Sequence, residues 1–140
     1  MNRPNSPIDV AIGVLVEQDQ DGQRVLIAQR PQQGVLGGYW EFPGGKCEPG
    51  ESAQACLARE FEEELGVKIQ VTHPIPTLEH RYDHGHVRIF PFYCQRVTGE
   101  PQPLQVSQWR WVRPHELASY AFPPANTPLV QRIMADLNGR

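Results

Sequence analysis

Between residues 44 and 67 the chain reads GGKCEPGESAQACLAREFEEELGV, and this stretch constrains the fold more than any other. Pro49 and Gly50 interrupt what precedes, Glu51 and Ser52 stand where helices begin, and Gly66 stands where they end. The punctuation predicts a helix over about residues 52–65. Leu57, Phe61 and Leu65 recur at i, i+4 and i+8 and form an apolar stripe. At about 100° per residue, Glu60, Glu63 and Glu64 fall within an arc of roughly 100° that borders that stripe. The acidic face is therefore at the edge of the buried one, partly shielded from water, while Glu62 points elsewhere as a solvated residue. Like charges three and four apart repel by roughly 0.2–0.5 kcal/mol per pair, and only Arg59 adjoins them. Either this is an ordinary solvated acidic surface or a positive partner is missing from the covalent chain.

The surrounding residues favour a missing cation. Gly44–Gly45 lets the chain bend so that backbone carbonyls face the helix. Glu51 stands at the helix start, where the dipole favours negative charge, and Arg59 can orient Glu63 through a forked hydrogen-bond pair. Converging hard oxygens suit Mg²⁺ or Mn²⁺. Mg²⁺ keeps waters and takes its remaining ligands from substrate phosphates, so a carboxylate-held ion beside a glycine turn suits phosphate chemistry.

The rest of the chain supplies strands. Residues 8–17 and 24–30 read as a hairpin turning at DQDG, 32–40 as a Gly-containing loop, and 41–45 as a short extended piece. Strands follow at 67–71 and, as a second hairpin turning near DHGH, at 78–97. A strand at 109–112 and a short helix at 114–120 come next. A last helix over 127–137 has Thr127 as N-cap and Pro128 at its first position. Strands before, between and after two main helices predict an α/β sandwich with a mixed sheet covered on both faces. With 140 residues, 39% apolar content and no Pro- or Ser-rich linker, residues 1–140 read as a single domain.

A formal charge of −3 excludes a broad basic surface for duplex nucleic acid but allows a single nucleotide as ligand. Cys47, Cys56 and Cys94 form no CxxC pair and are odd in number, which indicates neither a zinc cluster nor a disulfide framework. A reducing cytosol is the simplest compartment, with no signal-peptide run and no bilayer-spanning segment expected.

Gly45, Glu51 and the run Arg59-Glu60-Phe61-x-Glu63-Glu64-x-Gly66-Val67 match the Nudix box at every specified position, nine across 23 residues. WEFPGGK (40–46) and FPPANTP (122–128) resemble the corresponding stretches of MutT-type 8-oxo-dGTP diphosphatases. The resemblance implies an α/β/α sandwich with a mixed sheet between helices, and metal-dependent hydrolysis of a nucleoside diphosphate derivative. It assigns Glu60, Glu63, Glu64 and the Gly44 carbonyl as metal ligands and Glu60 as the residue that positions or deprotonates the attacking water. Arg59 and Glu51 orient these groups. In the MutT type, attack at the β-phosphorus turns 8-oxo-dGTP into 8-oxo-dGMP and pyrophosphate. One departure is the loop before the last strand, where that type supplies a further Glu. Here the place falls near Gln105, PLQVSQ (103–108) has no acid, and Glu100 is the nearest carboxylate.

For the substrate, Asn126 is the sharpest residue. Its carboxamide offers a donor and an acceptor to a purine edge, and 8-oxoguanine has an N7–H donor where guanine has an acceptor. As a loop Asn it could equally cap the helix, but Thr127–Pro128 already fits that role. The resemblance adds Arg30 and Phe42 as nucleotide contacts, against plain readings as a surface Arg and a core Phe. His80, His84 and His86 crowd one hairpin and read as exposed, and Trp109 and Trp111 as core. The expected partner is a small nucleotide, with no nucleic acid or membrane, in a cytoplasmic monomer or homodimer. Other nucleoside diphosphate derivatives (ADP-ribose, a dinucleoside polyphosphate, an unmodified dNTP) and a non-catalytic module sensing 8-oxoguanine are the competing readings.

Overall fold

The computed structural model of the chain describes residues 7–31, 37–82 and 85–137. Most of the loop predicted at 32–40, Asp83 and His84 of the DHGH turn, the first six residues and the last three lie outside them. The longest strands are β1 (Ile8–Asp19), β2 (Gly22–Gln29) and β7 (Gly85–Thr98). Shorter ones are β3 (Trp40–Glu41), β4 (Gly44–Lys46), β5 (Lys68–Pro74), β6 (Leu78–Tyr82) and β8 (Gln108–Val112). The helices are α1 (Ala53–Leu65) and α2 (Thr127–Leu137).

The sheet runs β3-β2-β1-β7-β5, with β8 beside β2, β4 beside β1 and β6 beside β7. β1 and β7 pair in parallel over Ile8 to Leu15, while the other pairings are antiparallel, so the sheet is mixed as expected. The length of β1 lets its first half pair with β7 and β4 while its end pairs with β2.

Side-chain alternation sorts the core into two layers. Leu15, Leu26 and Ala28 face Leu57, Phe61 and Leu65 of α1. Val14, Val25 and Ile27 face Leu129 and Ile133 of α2, with Leu117. The sheet is thus covered on both faces by helices, which bears out the α/β/α sandwich. Phe61 is fully buried, and its truncation to Ala would cost roughly 3–5 kcal/mol.

Local signals place α1 where the sequence predicts it. The Ser52 hydroxyl accepts from the Ala55 N–H at 3.1 Å, and Gly66, left-handed at φ 70°, donates to the Glu62 carbonyl. Two expectations are corrected. The short helix at 114–120 is a 3₁₀ turn over Pro114–Ser119. Thr127 is no N-cap: it has helical dihedrals (φ −54°, ψ −46°), because a 3₁₀ turn over Pro124–Asn126 runs directly into α2. The rigid prolines wind the chain before the helix begins, so the extended residue is Pro123.

Candidate active site

The acidic groups gather where α1 meets the Glu41–Lys46 segment. Gly44 has φ +152°, and a Cβ there would run into the Ala11 carbonyl of β1, so only glycine fits. A Cβ at Gly45 would lie 2.6 Å from Glu60 Cδ, which means β4 packs directly against the Glu60 carboxylate. The Gly44 N–H donates to Glu64.

Glu64 is 8% exposed, the one charged residue buried among the described residues. Burial pushes its carboxyl up to about 9, helped by a hydrogen bond to Glu60 and by the charges of Glu41 and Glu60. Without a cation, burial therefore favours the protonated form of Glu64. Glu63 is more open, its side chain 45% exposed. Glu62 is exposed and outside the cluster, as predicted.

Arg59 organises the cluster. Its Nε and Nη2 fork onto Glu51 at 2.8 and 3.0 Å, its Nη1 reaches Glu60 at 2.7 Å, and its Nη2 holds the Lys46 carbonyl at 3.2 Å. The fork pushes Glu51 down to about 2 and Arg59 above its ordinary range. Contact with Glu63 exists, at 3.3 Å to both oxygens from one nitrogen, so the forked partner is Glu51 instead of the Glu63 read from helical spacing.

The loop before β8 supplies no acid. Leu104 and Gln105 donate their N–H groups to the Glu64 carbonyl at 3.1 and 3.2 Å, closing the end of α1, and the Gln105 side chain is exposed. Glu100 does not reach in: 88% exposed, it pairs with Arg96 at 3.4 Å. A carboxylate that sequence reasoning missed takes its place in the cluster. Glu41 comes from β3, burial raises its carboxyl despite Arg30 at 2.9 Å, and the Glu60 charge raises it further. Its adjacency to FPGG was the available signal.

Arg30 is thereby tethered to Glu41, half exposed at the cluster's rim. Phe42 is 2% exposed and stacks on Phe122 with ring centres 5.1 Å apart, which matches the plain reading of a core Phe. That stack and the Trp40 N–H to the Ala121 carbonyl, 2.8 Å, seat the segment leading to Asn126. Asn126 is partly buried, and its carboxamide makes no hydrogen bond among the described residues. A cleft of about 360 Å³ lined by Ile75, Pro76, Leu78, Leu129 and Arg132 adjoins the first turn of α2.

The cysteines depart from expectation: Cys47 and Cys56 are paired as a disulfide, brought together because β4 lies against α1. Cys94 is buried and free. Of the three hairpin histidines, His86 faces Glu79 at 3.5 Å with its side chain 14% exposed, so it is covered, contrary to the exposed reading. Trp109 and Trp111 pack against the α1-side core as expected.

Hard oxygen donors from three glutamates and a backbone turn at Gly44–Gly45 that tolerates no side chain form a site that fits a divalent cation. The family model of the NUDIX domain matches residues 13–132. The chain is 32% identical over 124 residues, 89% of its length and 90% of the relative's, to the CTP pyrophosphohydrolase of Escherichia coli. It is 31% identical over 127 residues, 91% of each chain, to the 8-oxo-dGTP diphosphatase of Haemophilus influenzae. The solution structure of the E. coli ORF135 protein superposes with a TM-score of 0.78 at 30% identity, covering 94% of this chain and 91% of that one. With the box intact, the fold in place and most of the sequence matched, this chain belongs to the Nudix family as a pyrophosphohydrolase.

Proposed function

We propose that the chain hydrolyses oxidised purine nucleoside triphosphates, 8-oxo-dGTP to 8-oxo-dGMP and pyrophosphate, with Mg²⁺ as cofactor and Mn²⁺ as a substitute. The observation that carries this reading is the packing of the bare Gly44–Gly45 backbone against Glu64 and Glu60: carboxylates gathered on a glycine turn with no room for a side chain, where a cation would offset their charge. Nudix hydrolases generally need a divalent metal. Glu60, Glu63, Glu64 and the Gly44 carbonyl would hold the ion, which when bound offsets polyphosphate charge and acidifies water. Glu60, fixed by Arg59 at 2.7 Å, takes the proton of the water that attacks the β-phosphorus in line. Glu51 keeps Arg59 in place through its fork. Arg30, at the rim, meets the phosphates.

Asn126 reads the base. A carboxamide that makes no hydrogen bond among the described residues can accept from the 8-oxoguanine N7–H, which guanine lacks. The Phe42–Phe122 stack positions it. A second reading keeps the chemistry and changes the base to cytosine, favoured by the relative that hydrolyses CTP. Initial rates with Mg²⁺ on 8-oxo-dGTP, dGTP and CTP decide between them. The proposal expects the largest kcat/KM for 8-oxo-dGTP; a larger value for CTP or equal values for dGTP and 8-oxo-dGTP would overturn it.

A further inference from the structure

Cys47 and Cys56 have no part in the chemistry proposed above, yet they bridge its two supporting elements. Cys47 directly follows β4, whose glycines back onto Glu60 and Glu64. Cys56 precedes Glu60 by about one turn of α1. Their Cα atoms are 5.2 Å apart, inside the range of roughly 4.4–6.8 Å that a disulfide spans without moving the backbone, and the sulfurs are bonded. Across the same junction run the polar links from Arg59 to the Lys46 carbonyl and to Glu51. The covalent bond thus secures the contact that sets how far Gly44 and Gly45 stand from the carboxylates.

The two sulfurs differ in access. Cys47 is partly exposed and Cys56 fully buried, so a reagent in solution meets Cys47 first and Cys56 is placed to resolve the adduct. Cys94 is buried in the sheet core with its thiol pushed up to about 12, which leaves it outside this exchange.

We propose that Cys47 and Cys56 are a reversible dithiol–disulfide site, modified by small-molecule disulfides, whose oxidised form locks β4 onto α1 and tightens the divalent-cation site. This rests on the acidic cluster being that cation site. In the oxidising direction the Cys47 thiolate attacks one sulfur of RSSR, forms a mixed disulfide and expels RS⁻, which takes up the proton Cys47 released. The Cys56 thiolate then attacks the Cys47 sulfur and expels the second RS⁻, which takes up the second proton. Two thiols give two electrons and two protons to RSSR, leaving the intrachain disulfide and two RSH.

The test separates the switch from the activity. The full chain is equilibrated in glutathione buffers from fully reduced to fully oxidised, its thiols are alkylated and counted by mass, and Mn²⁺ affinity is measured by electron paramagnetic resonance without nucleotide. The expected result is a single two-electron transition at Cys47 and Cys56 with Cys94 alkylated only after unfolding. Mn²⁺ should bind about tenfold more weakly in the reduced form, the lower end of what losing a supporting partner does to a metal site. Cys47→Ser and Cys56→Ala should each bind Mn²⁺ at the reduced value through the whole series and form no intrachain disulfide, with Cys56→Ala stopping at the mixed disulfide on Cys47. A pair that stays oxidised, or stays reduced, through the whole series overturns the proposal, as does equal Mn²⁺ affinity in the two forms. If the transition and the affinity change occur in a protein that hydrolyses none of the nucleotides tested, the switch stands and the proposed substrate falls.

Discussion

Gly45→Ala probes the site with one methyl group. Gly45 is not in the left-handed region, so alanine suits its backbone. The added Cβ would nevertheless stand 2.6 Å from Glu60 Cδ, where ordinary contact begins at 3.4 Å, so the carboxylate must retreat by roughly 0.8 Å. Glu60 has little room to do so, with Arg59 at 2.7 Å and Glu64 hydrogen-bonded to it. A displacement near 1 Å at a reacting group costs on the order of 10²-fold, or about 2.7 kcal/mol of barrier. The same shift should cost the fold little, because the obstructing atoms end a side chain. Initial rates at saturating Mg²⁺ and a thermal melt read the two effects separately. Gly13→Ala is the counterpart: its Cβ would meet the Phe61 ring at 2.6 Å and Leu57 at 3.1 Å in the packed core. There the expected loss is stability, about 1–3 kcal/mol, with kcat retained. Full kcat in Gly45→Ala together with unaltered metal affinity would refute the claim that the position of Glu60 matters.

Glu60→Gln should retain the melting midpoint and lower kcat by about 10²–10⁴-fold, the contribution of a positioned base; steady-state kinetics beside a melt checks both. Glu64 titrates near 9 in the metal-free fold against the ordinary 4.5 of a glutamate in the unfolded chain, so the native state holds the extra proton between these values. The stability it confers is complete below about pH 4.5 and is lost as pH rises toward 9. Urea midpoints of metal-free protein should therefore fall over that window, and Mg²⁺ should flatten the slope. Asn126→Ala should lower the ratio of kcat/KM for 8-oxo-dGTP over dGTP by about tenfold or more, the worth of one discriminating hydrogen bond, while leaving dGTP turnover nearly unchanged.

What the sequence disclosed was local. The span of α1, its Ser52 start, its Gly66 stop and the separation of exposed Glu62 from Glu60 and Glu64 follow from spacing along one helix, whereas Glu63, expected among the shielded set, is exposed. What it withheld depends on the sheet. Glu41 joins the cluster only because β3 and β4 fold the WEFPGGK segment back along α1, and the Cys47–Cys56 pair arises from the same approach. The fork between Arg59 and Glu51 spans eight positions and a helix boundary, which helical periodicity cannot report. Thr127 misled because a Thr-Pro pair marks a helix start only when the chain enters it extended, and here it enters already wound.

The segment from Trp40 to Lys46 gives the acidic cluster and the loop that carries Asn126 one support. Its first half faces α2: Trp40 donates to the Ala121 carbonyl, and Phe42 stacks on Phe122, four residues before Asn126. Its second half faces α1, with Gly44 and Gly45 against Glu64 and Glu60. Between them, the Pro43 carbonyl accepts from the Gly13 N–H at 2.8 Å, which anchors the turn to β1. Side chains alternate across a strand, so a seven-residue piece can hold the loop that carries Asn126 on one face of the sheet and the acidic cluster on the other. The glycines follow from that geometry, since the second half must approach carboxylates with its bare backbone. The aromatics follow too, since the first half must fill the core beneath a loop that has no sheet of its own.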